Sequence, residues 1–267
     1  IPAKKIFDIP VMIEIHGEEY VRIMNIQKRH LRLLSKFLIS IYKSADKVRS
    51  LNPFMTKKLY DLGISDNVVE IYNRVNLELF NQIKSDYHLQ DDVLKLVSVG
   101  RFVKEKNYEN LIKYLSKSPL QYHLTLIGGG ELSDNYTKLI KELELQKNVT
   151  LIDWIDQKDF IKILINSDIY IQSSVSEGMP RTIVEAMALQ MPIISTKVGS
   201  IEGVIENDTN GLLVSTDEEE IIRTIMKMGS SEILRSKLAK QARKDVIEKY
   251  EWNSVFNKYR NEIISMK

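Results

Sequence analysis

The feature that most constrains this fold is a regular alternation that begins at Leu94. Apolar runs of strand length recur at residues 94–99, 124–127, 149–152, 169–172, 191–196 and 211–214. Helical patterns fill the intervals, at about 108–116, 134–145 and 159–165 and from Pro180 onward. Three more helices close the chain near 217–228, 231–248 and 252–265. Repeated strand–helix units predict an α/β fold with parallel strands, right-handed crossovers and helices on both faces of the sheet.

Within this pattern one stretch carries chemistry. Glu177 and Glu185 stand eight positions apart, with Gly178 and then Pro180 between them. Proline suits the first helical position, where its missing N–H is no loss. That puts Glu177 on a loop and Glu185 inside a helix. Ile183, Val184, Met187 and Ala188 form the apolar stripe of that helix. Arg181 and Thr182 share the polar side with Glu185, three and four positions away. The free N–H groups of a helix start can hold an anion, and a carboxylate one turn in can accept hydrogen bonds from a vicinal diol. Since parallel sheets bind ligands at the carboxyl ends of their strands, the stretch looks like half of a nucleotide-sugar site.

The 267 residues suggest one or two domains. A net charge of +2 predicts no nucleic-acid partner, and the absence of cysteine excludes disulfides and thiolate metal sites. This fits a cytoplasmic protein. No run approaches the roughly 20 apolar residues of a membrane span, and no signal peptide is visible. The first residue is Ile rather than Met, so a fragment or processed product is expected.

Ahead of Leu94 the pattern is looser. Residues 11–15 read as a strand ended by His16 and Gly17. A helical pattern over 19–43 carries Arg22, Lys28, Arg29, His30, Arg32 and Lys36, opposite Leu31, Leu34, Phe37, Leu38 and Ile41. A basic amphipathic helix can lie on an anionic membrane surface; a solvated face is the alternative. Residues 46–51 and 68–72 read as strands, with a helix over 53–62 closed by Gly63. Polar residues 73–92 read as a connection.

Arg101 follows a strand end and Lys106 follows five residues later. Two fixed cations there would hold a diphosphate and stabilise it as it departs. Gly128 begins a triple-glycine turn that either serves the turn alone or also meets a ligand. Trp154 would either flank a base or join the core. His16 would reach across a cleft to a sugar hydroxyl if two domains face each other. There is no Ser/His/Asp set, metal-ligand cluster or Walker loop, and nothing requires a metal or cofactor.

Taken together, these residues resemble the retaining GT-B glycosyltransferases of family 4, also called glycosyl transferases group 1. Gly100-Arg101 with Glu105-Lys106, Gly128-Gly129-Gly130, the Glu177–Glu185 pair, Pro192-Ile193-Ile194 through Gly199, and Asn210-Gly211-Leu212 are similar to the family's motifs in order. The resemblance implies two Rossmann-like domains. Residues 1–80 would be a partial N-terminal, acceptor-side domain and 81–93 the interdomain connection. Residues 94–250 would hold the nucleotide-sugar, and 251–267 would form a helix crossing back to the first domain.

The resemblance also implies roles for individual residues. Arg101 and Lys106 would sit on the diphosphate and Glu185 on the ribose. Glu177 would lie near the donor sugar. The backbone of Gly178, Met179, Pro180, Arg181 and Thr182 would lie near sugar and phosphate, with the base near Trp154 and Ile155. His16 lies where a catalytic-cleft histidine is common in the family.

Three departures stand out. Roughly a hundred residues of the family's first domain, with its glycine loop, have no counterpart. Asn73-Arg74-Val75-Asn76 replaces Asn-Gly-Val-Asp, which would cost about 1 kcal/mol or more if Arg74 takes a positive φ. Asn107 stands where the family has Gly. The expected function is transfer of a hexose-type sugar from a nucleoside diphosphate donor, UDP first, to a glycan or lipid-linked acceptor with retention of configuration. One alternative is a donor-binding fragment or subunit that needs a partner for the missing half. Another is a GT-B epimerase needing no acceptor.

Overall fold

The computed structural model describes residues 9–15, 32–89 and 93–266. Two parallel sheets account for the strands. The first holds β1 (Met12–Glu14), β2 (Lys47–Ser50) and β3 (Val68–Glu70) in sequence order. The second holds β4 (Leu94–Val99), β5 (Tyr122–Ile127), β6 (Val149–Ile152), β7 (Ile169–Gln172), β8 (Ile193–Thr196) and β9 (Leu212–Val214). Its spatial order is β6-β5-β4-β7-β8-β9. The chain therefore builds outward from β4 in one direction and restarts beside β4 with β7 to build the other way. Such a reversal leaves a crevice at the carboxyl ends of the two strands where it occurs.

The second sheet is covered on both faces, so most residues of its inner strands are apolar; β7 and β8 are buried throughout. Side chains alternate between the two covers. Val97, Val99, Ile127, Tyr170 and Ile193 join a core that continues into the first sheet through Ile15, Val48 and Leu51. Leu96, Leu124, Leu126, Ile169, Ile171 and Ile194 face a separate core.

The helices are α1 (Arg32–Ser44), α2 (Pro53–Asp61), α3 (Tyr108–Ser116), α4 (Ser133–Glu142), α5 (Gln157–Ile165), α6 (Arg181–Ala188), α7 (Glu218–Gly229), α8 (Glu232–Lys249) and α9 (Trp252–Ile264). Most start on a side chain that accepts from an otherwise orphaned N–H. Asn52 caps α2 through Met55, Asp156 caps α5 through Asp159, Asp217 caps α7 through Glu220, and Glu251 caps α9 through Ser254. Gly63 ends α2 at φ +71°, the left-handed conformation glycine tolerates best.

Several sequence expectations change in detail. Of the helix expected over 19–43, residues 19–31 lie outside the described residues and α1 starts at Arg32. Pro180 is the N-cap of α6, in extended conformation, rather than its first helical residue. Arg74 does not adopt positive φ, so the strain foreseen there is absent. Asn107 does, at φ +57°; Asn is among the few side chains that accept this region. It joins a short 3-10 turn, Lys104–Lys106, to α3.

The sheets are joined twice. The outward connection carries no helix or strand from Asn73 to Leu89, and it is pinned to the second sheet by Lys84 N to Leu189 O at 2.9 Å. Buried Arg235 donates to Tyr87 O at 2.6 Å and to Met228 O at 2.9 Å. On the return, Val75 N donates to Tyr250 O and Trp252 N to Val75 O, at 2.9 and 3.0 Å. Beyond that point α9 lies against the first sheet, with Tyr259 donating to Glu14 Oε1 at 2.7 Å and Lys47 paired with Glu262 at 3.2 Å. Arg235→Leu should lower the unfolding free energy by about 3 kcal/mol, because it strands the carbonyls that a buried charge now satisfies. Urea unfolding measures it, and an unchanged midpoint would contradict that role for Arg235.

Candidate functional site

The strand reversal brings the ends of β4 and β7 side by side, and each supplies one partner of a short ion pair. Lys106 Nζ lies 2.6 Å from Glu177 Oε1. The lysine stem folds back over Gly100, where a Cβ would come within 2.8 Å of its Cε. The same carboxylate oxygen accepts from Gln172 Nε2 and Ser174 Oγ, each at 2.5 Å. Glu177 Oε2 has no protein partner among the described residues. Ser173 Oγ donates to Lys106 O at 2.9 Å and Val175 N to Glu105 O at 2.8 Å, so the two strand ends are also stitched by backbone contacts. Gly199, at φ +58°, packs against this loop from β8; a Cβ there would sit 1.8 Å from Glu177 O.

Next to this pair α6 begins. The backbone N–H groups of Gly178, Met179, Arg181 and Thr182 have no protein acceptor among the described residues, as expected at a helix start. Buried Met179 accepts from Asn73 Nδ2 at 3.2 Å, which ties the loop to the connection from the first sheet. Thr182 Oγ1 accepts from Tyr170 OH at 2.9 Å. The carboxylate of Glu185, half-buried one turn on, has no hydrogen bond or ion pair among the described residues. Burial pushes its pKa up to about 7, against a smaller opposing effect of Arg181.

Two adjoining cavities open here. The larger, about 1050 Å³, is lined by Arg101, Lys106, Glu177, Gly178, Met179 and Pro180. The smaller, about 400 Å³, has Glu185 beside an apolar floor of Ile127, Ile155 and Phe160. Arg74, Val99, Trp154, Arg181 and Thr182 line both. Arg101 and Lys106 thus meet Glu185 across a shared wall rather than in one chamber. Arg101 is exposed and free of protein partners among the described residues, and Trp154 is 57% exposed, so it is a wall and not core.

The remaining expected site residues divide. Gly128 lines neither cavity; its φ of +147° and a Cβ position 2.0 Å from Gly100 O explain it as a turn residue. His16 lies outside the described residues. Sequence reasoning overlooked Gln172 and Ser174, whose signal was a polar run at the end of a buried strand. It also passed over Arg74 as anything but a hinge substitution. Among the described residues no group of His, Asp and Glu is placed to hold a metal ion.

The arrangement can hold an extended dianionic ligand with a diol. Cations and free N–H groups fill one end, and an unpartnered carboxylate over an apolar floor fills the other. Glu185 also makes stability depend on pH. Its folded pKa lies above the ordinary 4.5, so the folded state holds the proton more tightly. That contribution is full below about pH 4.5 and lost as pH rises toward 7. Glu185→Gln should therefore match the parent near pH 4 and exceed it at pH 8 by about 1–3 kcal/mol. Urea unfolding at both pH values measures this; a difference that does not change with pH would refute it.

The match to known proteins covers the same region. Residues 80–245 match the model of the family described as glycosyl transferases group 1. An N-acetylgalactosamine-N,N'-diacetylbacillosaminyl-diphospho-undecaprenol 4-alpha-N-acetylgalactosaminyltransferase from Campylobacter jejuni is 33% identical over 208 residues, covering 74% of this chain and 54% of that one. The fold is similar to sucrose-phosphate synthase from Thermosynechococcus elongatus, with TM-score 0.85 and 22% identity over 100% of this chain and 71% of that one. It is also similar to Anabaena HepE, solved in complex with UDP and glucose, with TM-score 0.79 and 18% identity over 98% and 73%. The chain spans about half to two thirds of the length of the curated relatives it matches. These likenesses identify the architecture as GT-B, and the chain belongs to the glycosyl transferases group 1 family.

Proposed function

We propose that this protein is a glycosyltransferase that moves a hexose-type sugar from a nucleoside diphosphate sugar, UDP-linked, to a glycan or lipid-linked acceptor with retention of the anomeric configuration. The observation that carries this reading is the pair of cavities meeting at the start of α6, one cationic and one holding an unpartnered carboxylate. The diphosphate fits the first, the nucleoside the second, and the ribose diol faces Glu185. HepE, whose structure holds UDP and glucose, lends support to the choice of donor. The Campylobacter relative, named for a diphospho-undecaprenol substrate, lends support to the acceptor class.

The hard step is departure of the diphosphate. The bond between the sugar's anomeric carbon and the β-phosphate oxygen breaks, and its electrons stay on phosphate. The acceptor hydroxyl attacks on the same face and gives its proton to that oxygen. Arg101 and Lys106 stabilise the charge that develops. Lys106 is paired with Glu177 at 2.6 Å before the donor arrives, so the lysine is already aimed when phosphate competes for it. Glu177 and the N–H groups of Gly178, Met179, Arg181 and Thr182 then face the transferred sugar.

No helix of the described residues is long and apolar enough to cross a membrane. A lipid-linked acceptor would be met at the cytoplasmic membrane surface. Helix α1, with Leu33 and Phe37 exposed beside Lys36, is the element that would touch it.

The test is release of UDP from a UDP-sugar in the presence of acceptor. Lys106→Ala should slow it by about 10²–10³, and Glu185→Ala should raise the KM for donor. Transfer undiminished in both variants would remove the two residues from the mechanism.

A further inference from the structure

Arg74 stands where the two cavities join, and among the described residues no carboxylate is paired with its charge. Its guanidinium lies 4.2 Å from the centre of the Trp252 ring, within reach of a cation–π contact. Its Nε is buried and has no acceptor among the described residues. A buried donor left without a partner is costly and calls for an explanation. No carboxylate pairs with Arg74 among the described residues, whereas Arg49 is held by Glu14 at 3.0 Å and Lys106 by Glu177 at 2.6 Å. The flanking backbone cannot drift. Asn73 is bound to Met179 O, and Val75 is bonded on both sides, to Tyr250 and Trp252.

The position decides what an incoming group must be. Arg74 lines both the cationic cavity and the one with Glu185. A ligand that occupies the two together has to thread past it. If the cleft takes a nucleoside diphosphate sugar, as proposed above, the only part lying between sugar and ribose is the pyrophosphate. We infer that Arg74 is a donor-binding residue that grips this pyrophosphate from the interdomain connection, opposite Arg181 on α6. A planar guanidinium offers two parallel N–H bonds to a phosphate and is suited to that task. The substitution at the hinge motif is then a ligand contact and not only a tolerated side chain. Because Trp252 backs the guanidinium, the grip also links the donor to the start of α9.

Calorimetry with UDP and with uridine separates this role from that of a strut between the sheets. Arg74→Met keeps the stem over Trp252 and removes the charge. It should weaken UDP by about 10-fold to 100-fold and change uridine by less than about twofold, within the ordinary scatter of a surface change. Unchanged UDP affinity would overturn the inference, and so would an equal loss for UDP and uridine, which is what a strut would give. Should Arg74→Met fail to fold, Arg74→Gln carries the same expectation and the same refutation. If the unmodified protein binds none of UDP, GDP, ADP and uridine, the underlying reading of the cleft falls and this inference falls with it. Normal UDP binding that is indifferent to Arg74 would sink the inference alone.

Discussion

The structure of the site depends on the ion pair between Lys106 and Glu177. Parallel strands β4 and β7 are neighbours, yet the chain leaves them on opposite courses, toward β5 and toward β8. Without a link, the loops that follow them would be independent. The 2.6 Å pair, with Gln172 and Ser174 on the same carboxylate oxygen, fixes the end of one strand against the turn after the other. It is partly shielded, with side chains 16% and 9% exposed, so water screens it less than a surface pair. Removing one partner would leave the other charge poorly solvated. The pair thereby joins the loop that carries Arg101 to the loop that leads into α6.

The two glutamates of the motif illustrate how one residue type is put to two uses by its surroundings. Glu177 is held by three donors on one oxygen, from Lys106, Gln172 and Ser174. The Glu185 carboxylate meets no donor among the described residues, and burial raises its pKa to about 7. The first is built into the scaffold. The second has hydrogen-bonding capacity to spare, which a diol can take up. The chain that closes over this carboxylate comes from outside the sheet, through Val75 and Trp252, so the cleft is completed by the connections between the sheets as well as by strand ends.

Much of this was legible from residue pattern, and the limits have physical causes. The central strands of the second sheet are largely buried, and their mainly apolar runs stand out as a result; β4, β6 and β7 begin and end at the residues expected. Arg101, Lys106 and Glu177 were singled out because they follow strand ends, and Glu185 because it lies eight positions past Glu177 on the next helix. What pattern does not reveal is which groups pair across the fold. The Lys106–Glu177 contact spans a large sequence separation and rests on a strand order that alternation alone leaves open. Gly128 kept two readings for a related reason: a glycine needed for close packing against Gly100 looks the same in sequence as one needed for a ligand. Arg74 was judged by the φ its position usually demands, but here the backbone takes another conformation and the side chain turns to Trp252.

The central claim is that separate basic and acidic side chains hold the two ends of a single nucleotide. A crystal structure of the protein with UDP tests it most directly. The account predicts pyrophosphate oxygens within hydrogen-bonding reach of Arg101 and Lys106, with both ribose hydroxyls on the Glu185 carboxylate. A nucleotide seated elsewhere, or one whose ribose leaves Glu185 without a partner, would contradict it.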